Sequence, residues 1–379
     1  IERTKKRMKR LTTLLLTALL IWSLAACGET AETGAVSSAA EAMPSESVVE
    51  EITPVEEEKP AESAAEEPTS LEEDEASEEA PPEEETAQSE TAEGTSKPEE
   101  TEIREAIEVS AEYIAGEWND AVYAYDGGEM NYSVYVPKSF DGTASLPLIT
   151  YIPDATYSGA SLSKLKDAQC PTAWITEENM RENPCLFLLV EISSGGSDIT
   201  DANNDSSRVV PLIDEVVSLY AADENRLYLT GQSMGGIFDF AINDAYPDKF
   251  AATVYVACQP GGEPYDDQYN SIIENKNYLS QTFVYIASAM DPKSPQGQAS
   301  VMEALDEAGI QYGLFQDIDH AGGDDTEAAV AKVLSQGHQQ NILQFTSVAG
   351  GNAPQEHMQS FQYAYNINAI FEWLMEQSL

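Results

Sequence analysis

Arg226 to Phe240 reads RLYLTGQSMGGIFDF, an apolar run that stops at Gly231 and restarts after one serine and two more glycines. RLYLT has the continuous apolar character of a strand buried on both faces, and the stretch from about 235 to 246 has that of a helix. Gly231-Gln232-Ser233-Met234-Gly235 therefore occupies a strand-to-helix corner. So sharp a corner strains the serine backbone and lifts its hydroxyl clear of the sheet. Glycines flank it because the strand and helix approach too closely for a Cβ. The Met234 N–H falls at a helix start, where unpaired donors and the helix dipole favour a developing oxyanion. A plain N-cap serine in a Gly-rich turn is the competing interpretation. The position between a buried strand and a helix favours a displayed nucleophile.

Working outward, AVYAYDGGEMNYSVYVP alternates apolar and polar residues on both sides of Asp126-Gly127-Gly128, the pattern of a β-hairpin. LPLITYI (146–152) and CLFLLVE (185–191) are short apolar strands, and 209–221 has helical spacing. After the corner come strands AATVYVA, TFVYIAS (282–288), QYGLFQD and NILQFTS, with helices predicted at 299–308 and 325–336. A final helix is predicted over 366–377, where Ile370, Trp373 and Leu374 recur at three- and four-residue spacing. A hairpin followed by alternating strands and helices predicts an α/β fold: one mostly parallel sheet with helices on both faces. The roughly 270 residues from 109 to 379 suffice for such a core.

The rest of the chain has another character. Arg3, Lys5, Lys6, Arg7, Lys9 and Arg10 precede an uncharged apolar stretch, LTTLLLTALLIWSLAA, of 16 residues. That is short for a membrane span, which needs roughly 20, and suits the apolar core of an export signal. MKRLTTLLL from Met8 is a more natural start than Ile1. Leu24-Ala25-Ala26-Cys27 resembles the bacterial lipoprotein lipobox, which implies cleavage before Cys27 and lipidation at that residue. Residues 28–108 hold roughly two fifths of all acidic residues and almost no aromatics, in a chain of net charge -48. Such a segment cannot bury enough apolar surface to offset its chain entropy, so it is expected to be a disordered, self-repelling tether. The predicted organisation is thus signal peptide 1–27, tether 28–108 and folded head 109–379, held at the outer face of a bacterial envelope.

The head is itself acidic, which argues against nucleic acid or polyanionic partners. Cys170 and Cys185 are the better-spaced pair for a disulfide in an exported domain, leaving Cys258 unpaired in an apolar run. No CxxC pair or Cys/His cluster indicates a structural zinc site. A serine nucleophile needs a base, and the base needs an acid to hold it. Three histidines exist. His320 sits among aspartates in IDHAGGDD, His338 at a predicted helix end, and His357 in a loop after the last strand, shortly before the closing helix. The last is the slot where a Ser-Asp-His chain order delivers its base. Asp291 directly follows strand TFVYIAS and is favoured as the acid, with Asp317 and Asp319 after the next strand as alternatives.

DENRLYLTGQSMGG, the following DAYPDKFAATVYVACQ, SAMDPKS and EHMQSFQYAYNINAIFEWLMEQ together resemble secreted α/β-hydrolases: polyhydroxybutyrate-depolymerase-like or feruloyl-esterase-like esterases and predicted prolyl-oligopeptidase-type peptidases. The resemblance spans about 132–379. It implies the α/β-hydrolase fold, with Ser233 as nucleophile, Asp291 as acid, His357 as base, and backbone N–H groups of Met234 and Ala155 as oxyanion donors. It also implies cleavage of carboxylic esters without metal or organic cofactor, on small or polysaccharide-linked substrates. A serine peptidase with the same triad and a non-catalytic surface-binding module are the rival expectations. Three departures stand out. Relatives usually carry His-Gly after the strand that supplies the second donor, where this chain has Ile152-Pro153-Asp154-Ala155, which sets a carboxylate beside that donor. An insertion at about 318–340 is expected to form a lid or substrate wall. Phe361 replaces a tryptophan.

Overall fold

The alternation around Asp126-Gly127 folds as a hairpin in the computed structural model of the chain, which describes residues 109–193, 204–260, 275–319 and 324–379. The signal segment, Cys27, the acidic run and His320 lie outside these residues. Strands β1 (Glu117–Tyr125) and β2 (Gly128–Val136) pair antiparallel, with Tyr125 opposite Gly128. The two-residue turn needs a left-handed position, supplied by Gly127 at φ 101°.

The apolar runs that follow have no polar face, and each is a strand buried along its whole length. They are β3 (Leu148–Ile152), β4 (Leu186–Val190), β5 (Leu227–Gln232), β6 (Ala252–Val256) and β7 (Phe283–Ser288). With β8 (Gly313–Ile318) and β9 (Gln340–Phe345) they complete a nine-stranded sheet of order β1-β2-β4-β3-β5-β6-β7-β9-β8. The β1–β2 and β2–β4 pairs are antiparallel and the other six pairs are parallel.

Three short helices, α1 (Leu162–Lys166), α2 (Gln169–Trp174) and α3 (Glu177–Glu182), link β3 to β4. Helix α4 (Ser206–Tyr220) leads back to β5, and α5 (Met234–Ala245) leaves it. The chain therefore steps from β3 outward to β4 and returns to β5 on the other side of β3. Between β3 and β5 the strand order reverses, and at such a point the loops after the two strands diverge and open a crevice at their carboxyl ends. Ser233 and Ala155 follow those two strands.

Side-chain parity splits the core. Tyr228 joins a cluster with Trp174, Tyr365 and Phe371 on one face, while Leu227 and Leu229 join Val209, Leu212, Ile213 and Val216 of α4 on the other. Each such burial stabilises the fold by about 1.5–3 kcal/mol.

Helices α6 (Ser294–Ala308), α7 (Asp324–Leu334), α8 (Ala353–Tyr365) and α9 (Asn368–Met375) complete the head. Three sequence expectations need correction. The described residues of the 318–340 insertion belong to the sheet and its helical layer, as the end of β8, α7 and the start of β9, where a lid or substrate wall was expected: Glu327 of α7 accepts the N–H groups of Asn368 and Ala369, which start α9. Cys170 and Cys185 are free buried thiols. Each sits in the core beside large apolar side chains, and burial pushes both thiols up, that of Cys185 to about 12. His357 belongs to α8 rather than a loop; Pro354 in its first turn starts the helix instead of interrupting a segment.

Candidate active site

The corner after β5 has the geometry its glycines foretold. The β5–β6 ladder extends one residue further, with Ser233 N donating to Val256 O at 3.0 Å. Ser233 itself turns to φ 51°, ψ -115°, a region that costs a non-glycine residue of order 1–3 kcal/mol. A Cβ on Gly231 would stand 2.4 Å from the Gly235 carbonyl carbon and 2.6 Å from Asp239 Oδ2. One on Gly235 would stand 1.9 Å from Ile152 O. The first contact lets α5 fold back over β5; the second lets its start press on the end of β3.

Two distant segments meet the serine. His357 Nε2 lies 2.9 Å from Ser233 Oγ, and His357 Nδ1 lies 2.6 Å from Asp291 Oδ2. The Asp291 side chain is wholly buried, while that of His357 is 23% exposed. Burial opposes ionisation of Asp291, but the His357 bond and charge and the N–H groups of Ser294 and Lys293 outweigh it. Its carboxyl consequently lies below the usual carboxylate range. A carboxylate that stays ionised fixes Nδ1–H toward itself and leaves Nε2 free to take a proton from the hydroxyl. Phe361, one turn on, sets the imidazole between elements: the two rings meet edge to face at 5.2 Å.

The remaining sequence candidates are elsewhere. His338 precedes β9, at the opposite end of the sheet from Ser233, and its carbonyl accepts from Asn341 Nδ2. Asp317 is within β8 and Asp319 just beyond it, on the sheet edge two strands from β7. Among the described residues no cluster of three or more His, Cys, Asp or Glu is placed to hold a metal ion.

Glu356, which the sequence did not single out, is the most heavily bonded carboxylate of the region. It is fully buried and accepts from the hydroxyls of Ser288 and Ser347 and from the N–H groups of Val348, Ala349 and Gly351. Burial opposes its ionisation too, but these donors outweigh it and hold its pKa to about 2. Ser288 ends β7, three residues before Asp291, and its hydroxyl also accepts from Met290 N. One side chain thus ties the loop that carries Asp291 to the helix that carries His357. Asp239, under Gly231, is the opposite case. It is buried, among the described residues neither oxygen has a hydrogen-bond partner, and burial pushes its carboxyl well above the usual range.

Asp154 is buried, and both of its carboxylate oxygens are hydrogen-bonded. Its Oδ1 accepts from Thr156 N at 2.8 Å and its Oδ2 from Gln232 Nε2 at 2.6 Å. The N–H groups of Met234 and Ala155 make no hydrogen bond within the described residues. A methionine also adjoins each of the three contacting residues: Met234 after Ser233, Met290 before Asp291 and Met358 after His357, the last two 48% and 40% exposed.

No family model matches the chain. It is similar to acetylxylan esterase A of Emericella nidulans, with 28% identity over 116 residues, 29% of this chain and 38% of the relative. It is also similar to feruloyl esterase B of Talaromyces funiculosus, with 40% identity over 52 residues, 14% of this chain and 15% of the relative. The chain thus spans less than half the length of the curated relatives it matches. Among solved structures, a thermostable esterase superposes with a TM-score of 0.50 at 20% identity, covering 69% of this chain and 63% of its own. These likenesses bear out the resemblance to feruloyl-esterase-like proteins, and the chain has the α/β-hydrolase fold.

Proposed function

We propose that the head is a serine hydrolase that cleaves carboxylic esters through an acyl-enzyme. One observation carries the reading: a hydroxyl, an imidazole and a carboxylate in continuous contact, the hydroxyl on a strained turn at a reversal of strand order. Ser233 Oγ attacks the ester carbonyl carbon while its proton passes to His357 Nε2. The carbonyl oxygen takes the electron pair, and the Met234 and Ala155 N–H groups hold it. Collapse of this intermediate breaks the bond to the alcohol oxygen, which leaves with the proton from Nε2. Water then gives a proton to Nε2 and its oxygen to the acyl carbon. The acid departs and Ser233 regains its proton. Asp291 keeps the imidazole in the working tautomer and offsets its transient charge.

The named relatives support acetyl or feruloyl esters on plant polysaccharide as the substrate class. The sequence supports a lipid anchor at Cys27, with 28–108 as the tether that carries the head outward. The test is a panel on the full chain and its Ser233→Ala variant: p-nitrophenyl acetate, methyl ferulate, acetylated xylan and peptide p-nitroanilides. Ester turnover that disappears in Ser233→Ala is the expected result. Amide cleavage with weak ester turnover would establish a peptidase instead. No turnover, together with no labelling of Ser233 by a fluorophosphonate, would leave only a binding module.

A further inference from the structure

The last ladder pair between β3 and β5 is Ile152 with Gly231. Beyond it no sheet hydrogen bond fixes the distance between the two chains, yet both donors of the oxyanion site lie there, Ala155 after one strand and Met234 after the other. Their spacing decides whether two N–H groups converge on one oxygen, and an error of about 1 Å at such a site costs on the order of 100-fold in rate. Something past the ladder has to set it.

One bond spans the gap. Gln232, the residue before the nucleophile, donates from Nε2 to Oδ2 of Asp154, the residue before Ala155. Gln232 is fully buried and Asp154 only 2% exposed. A hydrogen bond to a carboxylate is stronger and more directional than one between neutral groups, and burial from water raises that difference. The other carboxylate oxygen takes Thr156 N, which winds the chain into the turn Ala155–Tyr157 and leaves neither oxygen without a donor. The close approach of Gly235 to Ile152 O supplies the repulsive limit, and the Gln232–Asp154 bond supplies the tie.

We infer that Asp154 and Gln232 are a positioning pair that sets the separation of the Met234 and Ala155 N–H groups, so that a carboxylate beside the second donor supports the oxyanion site. The inference rests on the ester-hydrolase reading and adds to it. It touches no reacting atom; it acts through the two main-chain donors.

The experiment compares wild type with Asp154→Ala, Asp154→Asn, Gln232→Met and the combined Asp154→Ala, Gln232→Met variant in the full chain. The readouts are kcat and KM for p-nitrophenyl acetate, affinity for a trifluoromethyl ketone, whose serine adduct carries an oxyanion, and the melting temperature. Asp154→Ala and Gln232→Met are expected to lower kcat by about 10- to 100-fold and weaken the ketone by the same factor, with KM within about twofold. The combined variant is expected to be no worse than either alone. Asp154→Asn is expected to recover most of the loss, because among the described residues Gln232 Oε1 has no partner and accepts from the new amide once the Gln232 amide turns over. Unchanged kcat and ketone affinity in folded Asp154→Ala would overturn the inference. So would a loss of kcat at intact ketone affinity, or an Asp154→Asn variant as impaired as Asp154→Ala. If Asp154→Ala does not fold, Gln232→Met decides by the same criteria. Wild type inert toward every ester would remove the hydrolase reading and this inference with it, whereas active wild type matched by Asp154→Ala removes the inference alone.

Discussion

At the residue scale, Asp291 shows how much a single oxygen decides. Asp291→Asn keeps the shape of the side chain but offers Nδ1 of His357 an amide in place of an ionised acceptor. The imidazole is then held in the wrong tautomer, and kcat for p-nitrophenyl acetate is expected to fall by about 10,000-fold with little change in KM. A fall under tenfold would mean that Asp291 only packs against the ring. Ser233, Asp291 and His357 were legible because each falls at a place the chain order dictates: after a strand, after a later strand, and near the last helix. Glu356 was not legible. A glutamate beside a histidine in a polar stretch looks like surface charge, and its five donors come from residues 288, 347, 348, 349 and 351, brought together only by folding. Nor was the direction of the Asp154 carboxylate, which depends on a partner 78 positions away.

Among elements, β7, the loop after β9 and α8 act as one body because Glu356 bonds to all three. The bonds require an ionised carboxylate, and its pKa is lowered from 4.5 to about 2. A carboxyl depressed in the folded state adds stability above its unfolded value and loses it as pH falls through the folded one. The contribution is therefore whole above about pH 4.5 and vanishes toward pH 2. Glu356→Gln, which swaps an acceptor for an N–H2 group facing backbone donors, is expected to melt well below wild type at pH 7. That gap is expected to close progressively below about pH 4.5. Thermal melts of both proteins across this range check it, and a gap independent of pH would contradict the assignment. The strands and long helices of the head could be found by their apolar period. Helices α1 to α3 could not, because pieces of 5 or 6 residues carry less than two turns of pattern. Helix α8 escaped because its first turn holds a proline and few apolar residues.

Over the whole molecule, the sheet order explains why these parts meet. Parallel strands bring their carboxyl ends to one edge, and the reversal between β3 and β5 opens that edge where Ser233 stands. The layer that backs this edge is held by Trp174 of α2, which is fully buried, contacts Tyr365 and Phe371, and donates from Nε1 to Tyr365 O at 3.1 Å. Tyr365 ends the helix that carries His357. Trp174→Ala is expected to cost about 3–5 kcal/mol in urea unfolding, since both a large apolar volume and a buried donor's bond are removed. A loss under about 1 kcal/mol would show that the layers close without it.

The methionines beside the three contacting residues give the site a chemical vulnerability. A thioether exposed to peroxide becomes a sulfoxide, turning a soft apolar arm into a rigid dipole. Met290 and Met358, open to solvent, are the ones such an oxidant meets first. Mild oxidation therefore falls next to Asp291 and His357 while the buried core stays untouched. The damage is of a kind that sulfoxide reductases reverse, which would make the redox state of the surroundings a control on the rate at which this protein works.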